Sequence, residues 1–156
     1  VYVCLVFVLL ILGTFPLVLL SALFPKKWKD RFLFAILKII SNIWLISTFM
    51  LPKNYHRNKV DFSKSYLLMP NHQSFLDAAM LYTSLVKPFK TLGKKEVEKA
   101  PIYGIVYKMV VITVDRSSVT AKAKSFRQMK KEMEDGLSVG IFPEGTFADQ
   151  PQAELL

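Results

Sequence analysis

The first 24 residues, Val1 to Phe24, contain no charged side chain. As one helix they would run about 36 Å, enough to cross a hydrocarbon core of about 30 Å. A cleaved signal peptide is the competing reading, but the run is longer than such an apolar core and no basic segment precedes it. Gly13 and Pro16 are places where the helix can bend, because proline removes a helical hydrogen bond, so both a kinked span and a re-entrant hairpin stay open.

The next segment, "PKKWKDR", leads into a second apolar stretch, residues 32–51. On a helical wheel Asp30, Arg31, Lys38, Ser41, Asn42 and Thr48 share one sector, and aliphatic and aromatic residues fill the rest. That pattern predicts a helix lying at a membrane interface rather than a second full crossing. With a single crossing, Lys26, Lys27, Lys29 and everything after them face the cytoplasm, in keeping with the positive-inside rule.

Composition narrows the classes further. The chain is 52% hydrophobic and carries 21 Lys+Arg against 12 Asp+Glu. Most of that excess lies in residues 1–60, beside the apolar segments, which favours an anionic membrane surface over a nucleic-acid groove. Cys4 is the only cysteine, so neither an intrachain disulfide nor a thiolate metal site is expected. The only histidines are His56 and His72, and no metal is assigned. The chain starts without Met and stops in a polar stretch, so a fragment is expected, with residues 1–58 as a membrane-anchoring helical region and 59–156 as a domain incomplete at its C-terminus.

From about residue 60 the pattern alternates between strand and helix. "SYLLM" (65–69), "FKTLG" (89–93), "VVITV" (110–114) and "VGIF" (139–142) read as strands. Residues 74–86 read as a helix with Leu76, Met80 and Leu81 as apolar contacts. A second helix, capped by Ser117 or Ser118, keeps Val119, Phe126, Met129 and Met133 at helical spacing and ends at Gly136. The expected fold is therefore α/β, a layered domain with a central mixed sheet flanked by helices, preceded by the N-terminal membrane-associated region.

Three stretches at predicted strand ends carry polar residues suited to chemistry. In "PNHQSFLD" (70–77), His72 and Asp77 would point about 140° apart inside one regular helix. They can pair if 70–72 form a loop and the helix begins near Ser74. A carboxylate on one ring nitrogen then fixes the tautomer and makes the other nitrogen a general base. Alone, the stretch reads more readily as a surface loop and a solvated helix acid. In "FPEGT" (142–146), Pro143 and Gly145 impose a tight turn whose N–H groups suit a phosphate, with Glu144 and Thr146 as polar neighbours. In "VDRSS" (114–118), Arg116 offers a planar fork for phosphate or carboxylate beside a helix N-terminus. Two other strings carry nothing: "GLSVG" has strand and helix in the reverse order for a hydrolase elbow, and "LGKK" lacks phosphate-loop spacing.

Taken together, these stretches resemble the membrane glycerolipid acyltransferases, specifically the 1-acyl-glycerol-3-phosphate (lysophosphatidic acid) acyltransferase family. Its His-x-x-x-x-Asp block matches "NHQSFLD", its second block is similar to "GKKEVEKAPIYG" followed by "VDR", and its third is "FPEGT" itself. The resemblance spans residues 66–146. It implies transfer of a fatty acyl group from an acyl thioester, carried by coenzyme A or acyl carrier protein, to the free hydroxyl of a lysophospholipid. It also implies His72 as the base, Asp77 as its partner, and Arg116, Glu144, Gly145 and Thr146, with Lys94 as a further candidate, as holders of the glycerophosphate end. No cofactor beyond the thioester and no nucleic-acid partner are implied. The chain departs from the pattern at Phe147, where many members carry a basic residue, and a fourth block is not present. Another lysophospholipid or glycerol-3-phosphate as acceptor, or a non-catalytic lipid-binding module, are the alternative readings.

Overall fold

The computed structural model describes residues 2–55, 57–74, 76–115 and 118–143. Helix α1, Tyr2–Leu20, runs without a break through Pro16, and a short 3₁₀ turn at Ser21–Leu23 leads into α2, Lys26–Ser47. The two helices lie side by side and antiparallel. Val18 packs in one cluster with Leu33, Ile36 and Leu37, while Val6 and Phe7 meet Trp44 and Leu45 at the other end. Trp44 Nε1 donates to the carbonyl of Val3 at 2.9 Å, which supplies the partner that a buried indole N–H needs.

The α2 amphipathicity predicted from the sequence is present, but its polar sector lies at the border of the buried face, with Arg31 exposed and part of the sector turned inward. Asp30 and Ser41 are buried, Lys38 donates to the carbonyl of Leu85, and Ile39, Ile43 and Ile46 are exposed. The exposed side of α1 is equally apolar, with Leu5, Val8, Leu9, Leu12 and Leu19 all open. A hairpin with aliphatic outer faces, and with Asp30, Lys38 and Ser41 turned toward the protein, suits an apolar exterior, where polar groups must be satisfied internally. Among the described residues, Tyr2–Leu23 is the one segment long and apolar enough to cross a membrane.

The remaining elements form the α/β unit: β1 Leu67–Leu68, α3 Leu76–Ser84, β2 Phe89–Lys94, α4 Tyr103–Val110, β3 Val111–Val114, α5 Val119–Glu134 and β4 Ser138–Gly140. The strands are ordered β1-β4-β2-β3 and every described pairing is parallel, where a mixed sheet was expected. The parallel arrangement follows from helical crossovers between successive strands. All four strands overlap the segments read from the sequence, with β2 running on to Lys94 and β4 beginning at Ser138, but α4 was not anticipated.

Side-chain alternation assigns the helices to layers. Leu92, Ile112 and Val139 point to one face and meet Met129 and Met133 of α5. Phe89 points to the other and contacts Phe34 of α2 and Tyr82 of α3. On that second face Gly93 lets Tyr107 of α4 lie against β2, since a Cβ there would sit 1.9 Å from the tyrosine Oη. Burial pushes the Tyr107 hydroxyl up to about 12, so it stays neutral. Thus α5 covers one face, α2, α3 and α4 cover the other, and α1 packs against α2 and reaches α4 through Phe7 on Tyr103 and Val18 beside Val106. Two residues of the predicted apolar α5 face are not in the core: Val119 is 83% exposed and Phe126 62%. The sector that meets the sheet is centred instead on Ser125, Met129 and Glu132.

At the N-terminal edge of the sheet, α2 and α5 are tied by charge. Glu132, buried, accepts from Lys90 Nζ at 3.0 Å, and Lys26 Nζ lies 3.1 Å from its other oxygen and also contacts Asp135. Burial works to raise the Glu132 carboxyl, but the bonds from Lys90 and Lys26 outweigh it and hold the group below its ordinary value of 4.5. Beside it, burial pushes the Asp30 carboxyl up, which the attraction of Lys90 only partly offsets. A depressed carboxylate contributes stability that is present above its unfolded value and lost as pH falls through the folded one. Glu132→Gln is therefore expected to cost about 1–3 kcal/mol at neutral pH. The gap to wild type should close as the solution is acidified below the carboxylate range, read from denaturation midpoints across pH.

Candidate active site

Parallel strands aligned in one sheet place all their C-terminal ends along one edge, where α/β proteins bind ligands. Here the four ends carry the three stretches singled out in the sequence. His72 follows β1, Phe142 and Pro143 follow β4, Lys94 ends β2, and Asp115 follows β3. The strand order puts the His72 loop next to Phe142 at the end of β4, although 70 residues separate them in the chain.

The backbone between β1 and α3 explains how His72 and Asp77 meet. After Leu68 the chain leaves the sheet through Met69 and Pro70, and α3 starts only at Leu76. Ser74 supports that start, its Oγ accepting from the N–H of Leu76 at 3.2 Å. Asp77, in the first helical turn, reaches back over the loop. Its Oδ2 accepts from the N–H groups of Gln73 at 2.7 Å and Ser74 at 2.9 Å, and lies 3.1 Å from His72 Nδ1. One carboxylate oxygen thus fixes the loop and the imidazole together. With three donors converging on it, Oδ2 acts as an acceptor, so Nδ1 carries the hydrogen and Nε2 carries the lone pair.

The imidazole is also held by its face. The Phe142 ring stacks on it with centroids 4.1 Å apart and planes at 30°. Sequence reasoning placed Phe142 in the "FPEGT" stretch without giving it this contact. Both side chains of the His72–Asp77 pair are 19% exposed, so the site is half-sheltered yet open at the edge.

Lys94 is exposed and lies on β2, two strand spacings from β1, about 10 Å across the sheet. Next to it Lys95 pairs with Asp115 at 3.0 Å, bridging the ends of β2 and β3. That pair, also not anticipated, anchors the residue just before Arg116. Arg116, Glu144, Gly145 and Thr146 lie outside the described residues, as does the alternative cap Ser117. Ser118 is the cap of α5, its Oγ accepting from the N–H of Ala121.

An imidazole held by a carboxylate, at the strand-end edge of a parallel α/β sheet, is an arrangement able to take a proton from a hydroxyl. The acyltransferase family model matches residues 50–153, more than half of the chain, and the chain belongs to that family. Among curated relatives it is 36% identical over 81 residues to the 1-acyl-sn-glycerol-3-phosphate acyltransferase of Borreliella burgdorferi, covering 51% of this chain and 32% of that protein. It is 26% identical over 113 residues to the lyso-ornithine lipid O-acyltransferase of Rhizobium meliloti, covering 64% and 38%. The fold matches the crystal structure of the 1-acyl-sn-glycerophosphate acyltransferase PlsC from Thermotoga maritima, with a TM-score of 0.71 at 16% identity over 94% of this chain and 61% of that one. The matched stretch makes up about a third of the length of these curated relatives.

Proposed function

We propose that this chain carries the acyl-transfer site of an enzyme that moves a fatty acyl group from a thioester to the free hydroxyl of 1-acyl-glycerol-3-phosphate, forming phosphatidic acid. The observation that carries the reading is the His72–Asp77 pair, fixed through Nδ1 and stacked on Phe142, in a chain of the acyltransferase family. In the reaction His72 Nε2 takes the hydroxyl proton as the oxygen attacks the thioester carbonyl. The resulting tetrahedral oxyanion collapses, the C–S bond breaks, and the imidazolium returns its proton to the departing thiolate. No covalent acyl-enzyme is needed in this scheme. Arg116, Glu144, Gly145 and Thr146 would hold the glycerophosphate end, with Lys94 nearby.

The membrane fits this assignment because the acceptor and the acyl chain both partition into lipid. Residues 1–58 would anchor the chain through the α1–α2 hairpin and residues 59–156 would hold the chemistry. The Lys26, Lys27 and Lys29 cluster supports a site on the cytoplasmic face under the positive-inside rule. A second acceptor class is favoured by the similarity to a lyso-ornithine lipid O-acyltransferase and by Phe147 in place of a basic residue. An acceptor panel in detergent or vesicles, read by release of free thiol from acyl-coenzyme A, separates the two. A preference for lysophosphatidate that Arg116→Ala removes supports the first. Equal turnover of acceptors lacking a phosphate monoester overturns it.

A further inference from the structure

The acyl-transfer scheme uses the edge of the His72 imidazole, Nδ1 toward Asp77 and Nε2 toward the hydroxyl, and leaves the face of the ring to Phe142. The place of Phe142 is set by the sheet. Strand β4 lies between β1 and β2, and just past its end the N–H of Ile141 still donates to the carbonyl of Leu68 at 2.8 Å. The residue before Phe142 is therefore bonded to the strand from which the His72 loop departs. On the other side the loop is fixed by Asp77, whose Oδ2 holds the N–H groups of Gln73 and Ser74 together with His72 Nδ1. These two attachments bring the phenyl ring onto the imidazole with centroids 4.1 Å apart and planes at 30°, while the carboxylate meets the imidazole at its edge.

The contact changes in strength with the charge on the imidazole. The face of a phenyl ring is the negative side of its quadrupole. A neutral imidazole brings no net charge to that face, whereas an imidazolium brings a full positive one, and a cation within about 6 Å of the ring centroid is attracted to it. Shelter from water adds weight to the attraction, and the His72 and Asp77 side chains are each only 19% exposed. The stack therefore tightens as Nε2 takes the hydroxyl proton and relaxes as that proton passes to the departing thiolate. An interaction made in this way lowers the barrier without strengthening the hold on the substrates. An aliphatic side chain of similar bulk could keep the imidazole in place but could not respond to its charge. We propose that Phe142 is a positioning residue that stabilises the imidazolium of His72 through the face of its ring. The effect on rate rests on the acyl-transfer reading, but the ring contact itself can be measured without turnover.

The test uses the full chain in lipid nanodiscs, with Phe142 replaced in turn by mono-, tri- and pentafluorophenylalanine, and with Phe142→Leu and Phe142→Tyr beside them. Fluorine withdraws charge from the ring face while nearly keeping the ring's shape, so the series separates the quadrupole from packing and stays decisive even where Phe142→Leu fails to fold. Two readouts are taken: kcat and KM with palmitoyl-coenzyme A and lysophosphatidate, and the share of His72 in the imidazolium form at one mildly acidic pH, from its ring-nitrogen NMR shifts. The expected result is a stepwise fall in kcat with fluorination, reaching about 10-fold at the pentafluoro ring. Both KM values should be unchanged, the imidazolium share should fall in the same order, and Phe142→Tyr should stay near wild type. A kcat that is flat across the fluorinated series, or a loss that appears in KM, overturns the proposal, because the ring would then only fill space or touch substrate. Should wild type turn over no thioester, the acyl-transfer reading fails by itself. The imidazolium share then decides the ring contact: a fall across the series supports it, and an equal share in every variant overturns it.

Discussion

His72→Ala is expected to leave a folded protein whose acyl transfer is slower by about 10²–10⁴-fold, the usual worth of a positioned general base. The fold should survive because the loop does not hang on the imidazole. Asp77 still accepts the N–H groups of Gln73 and Ser74, and Leu76 N–H still reaches Ser74. The side chain that is lost contacts Asp77 and the Phe142 ring at a half-open edge, so no closed cavity forms. The deficit should appear in kcat, with KM for the thioester nearly unchanged, since Nε2 acts on a proton in flight rather than on a bound group. Thermal unfolding of wild type and variant in the same detergent provides the control. A variant that keeps a third of the wild-type rate would move the base elsewhere. His56, the only other histidine, would then be the next residue to change.

How far the sequence foretold this arrangement depends on what each signal refers to. The His72–Asp77 contact was legible because it is local: five residues, a Pro-Asn exit from a strand and a helix start near Ser74 leave few ways for the two side chains to lie. The stacking of Phe142 on His72 was not, since it follows from β4 being inserted beside β1, and strand order is a tertiary outcome with no local mark. Helix α4 escaped for a different reason. It runs from Val110 straight into β3 at Val111, with no Gly, Pro, Asn or Asp between them to punctuate the change. The helical wheel of α2 gave its two faces correctly but not which medium each would meet. In water the polar sector would face out; here the aliphatic outer side of α1 declares an apolar exterior, and Asp30, Lys38 and Ser41 turn toward the protein. The same limit explains Val119 and Phe126, whose spacing is helical but whose sector points away from the sheet.

Asp77→Asn tests the charge behind the base, and its expected loss is also large, on the order of 10²–10³-fold in kcat. The carboxamide is almost isosteric, and because Oδ2 alone takes both backbone N–H groups and faces His72 Nδ1, an amide oxygen in its place can keep all three bonds, the loop and the ring tautomer. What is lost is the negative charge that would stabilise the imidazolium as His72 takes the hydroxyl proton. A purely structural role for Asp77 would predict a lowered melting temperature. The electrostatic role predicts an unchanged melting temperature and an unchanged ring tautomer by NMR, with kcat lowered. Asp77→Glu separates the two further, because a longer carboxylate that can still reach Nδ1 should restore part of the rate, whereas no amide can.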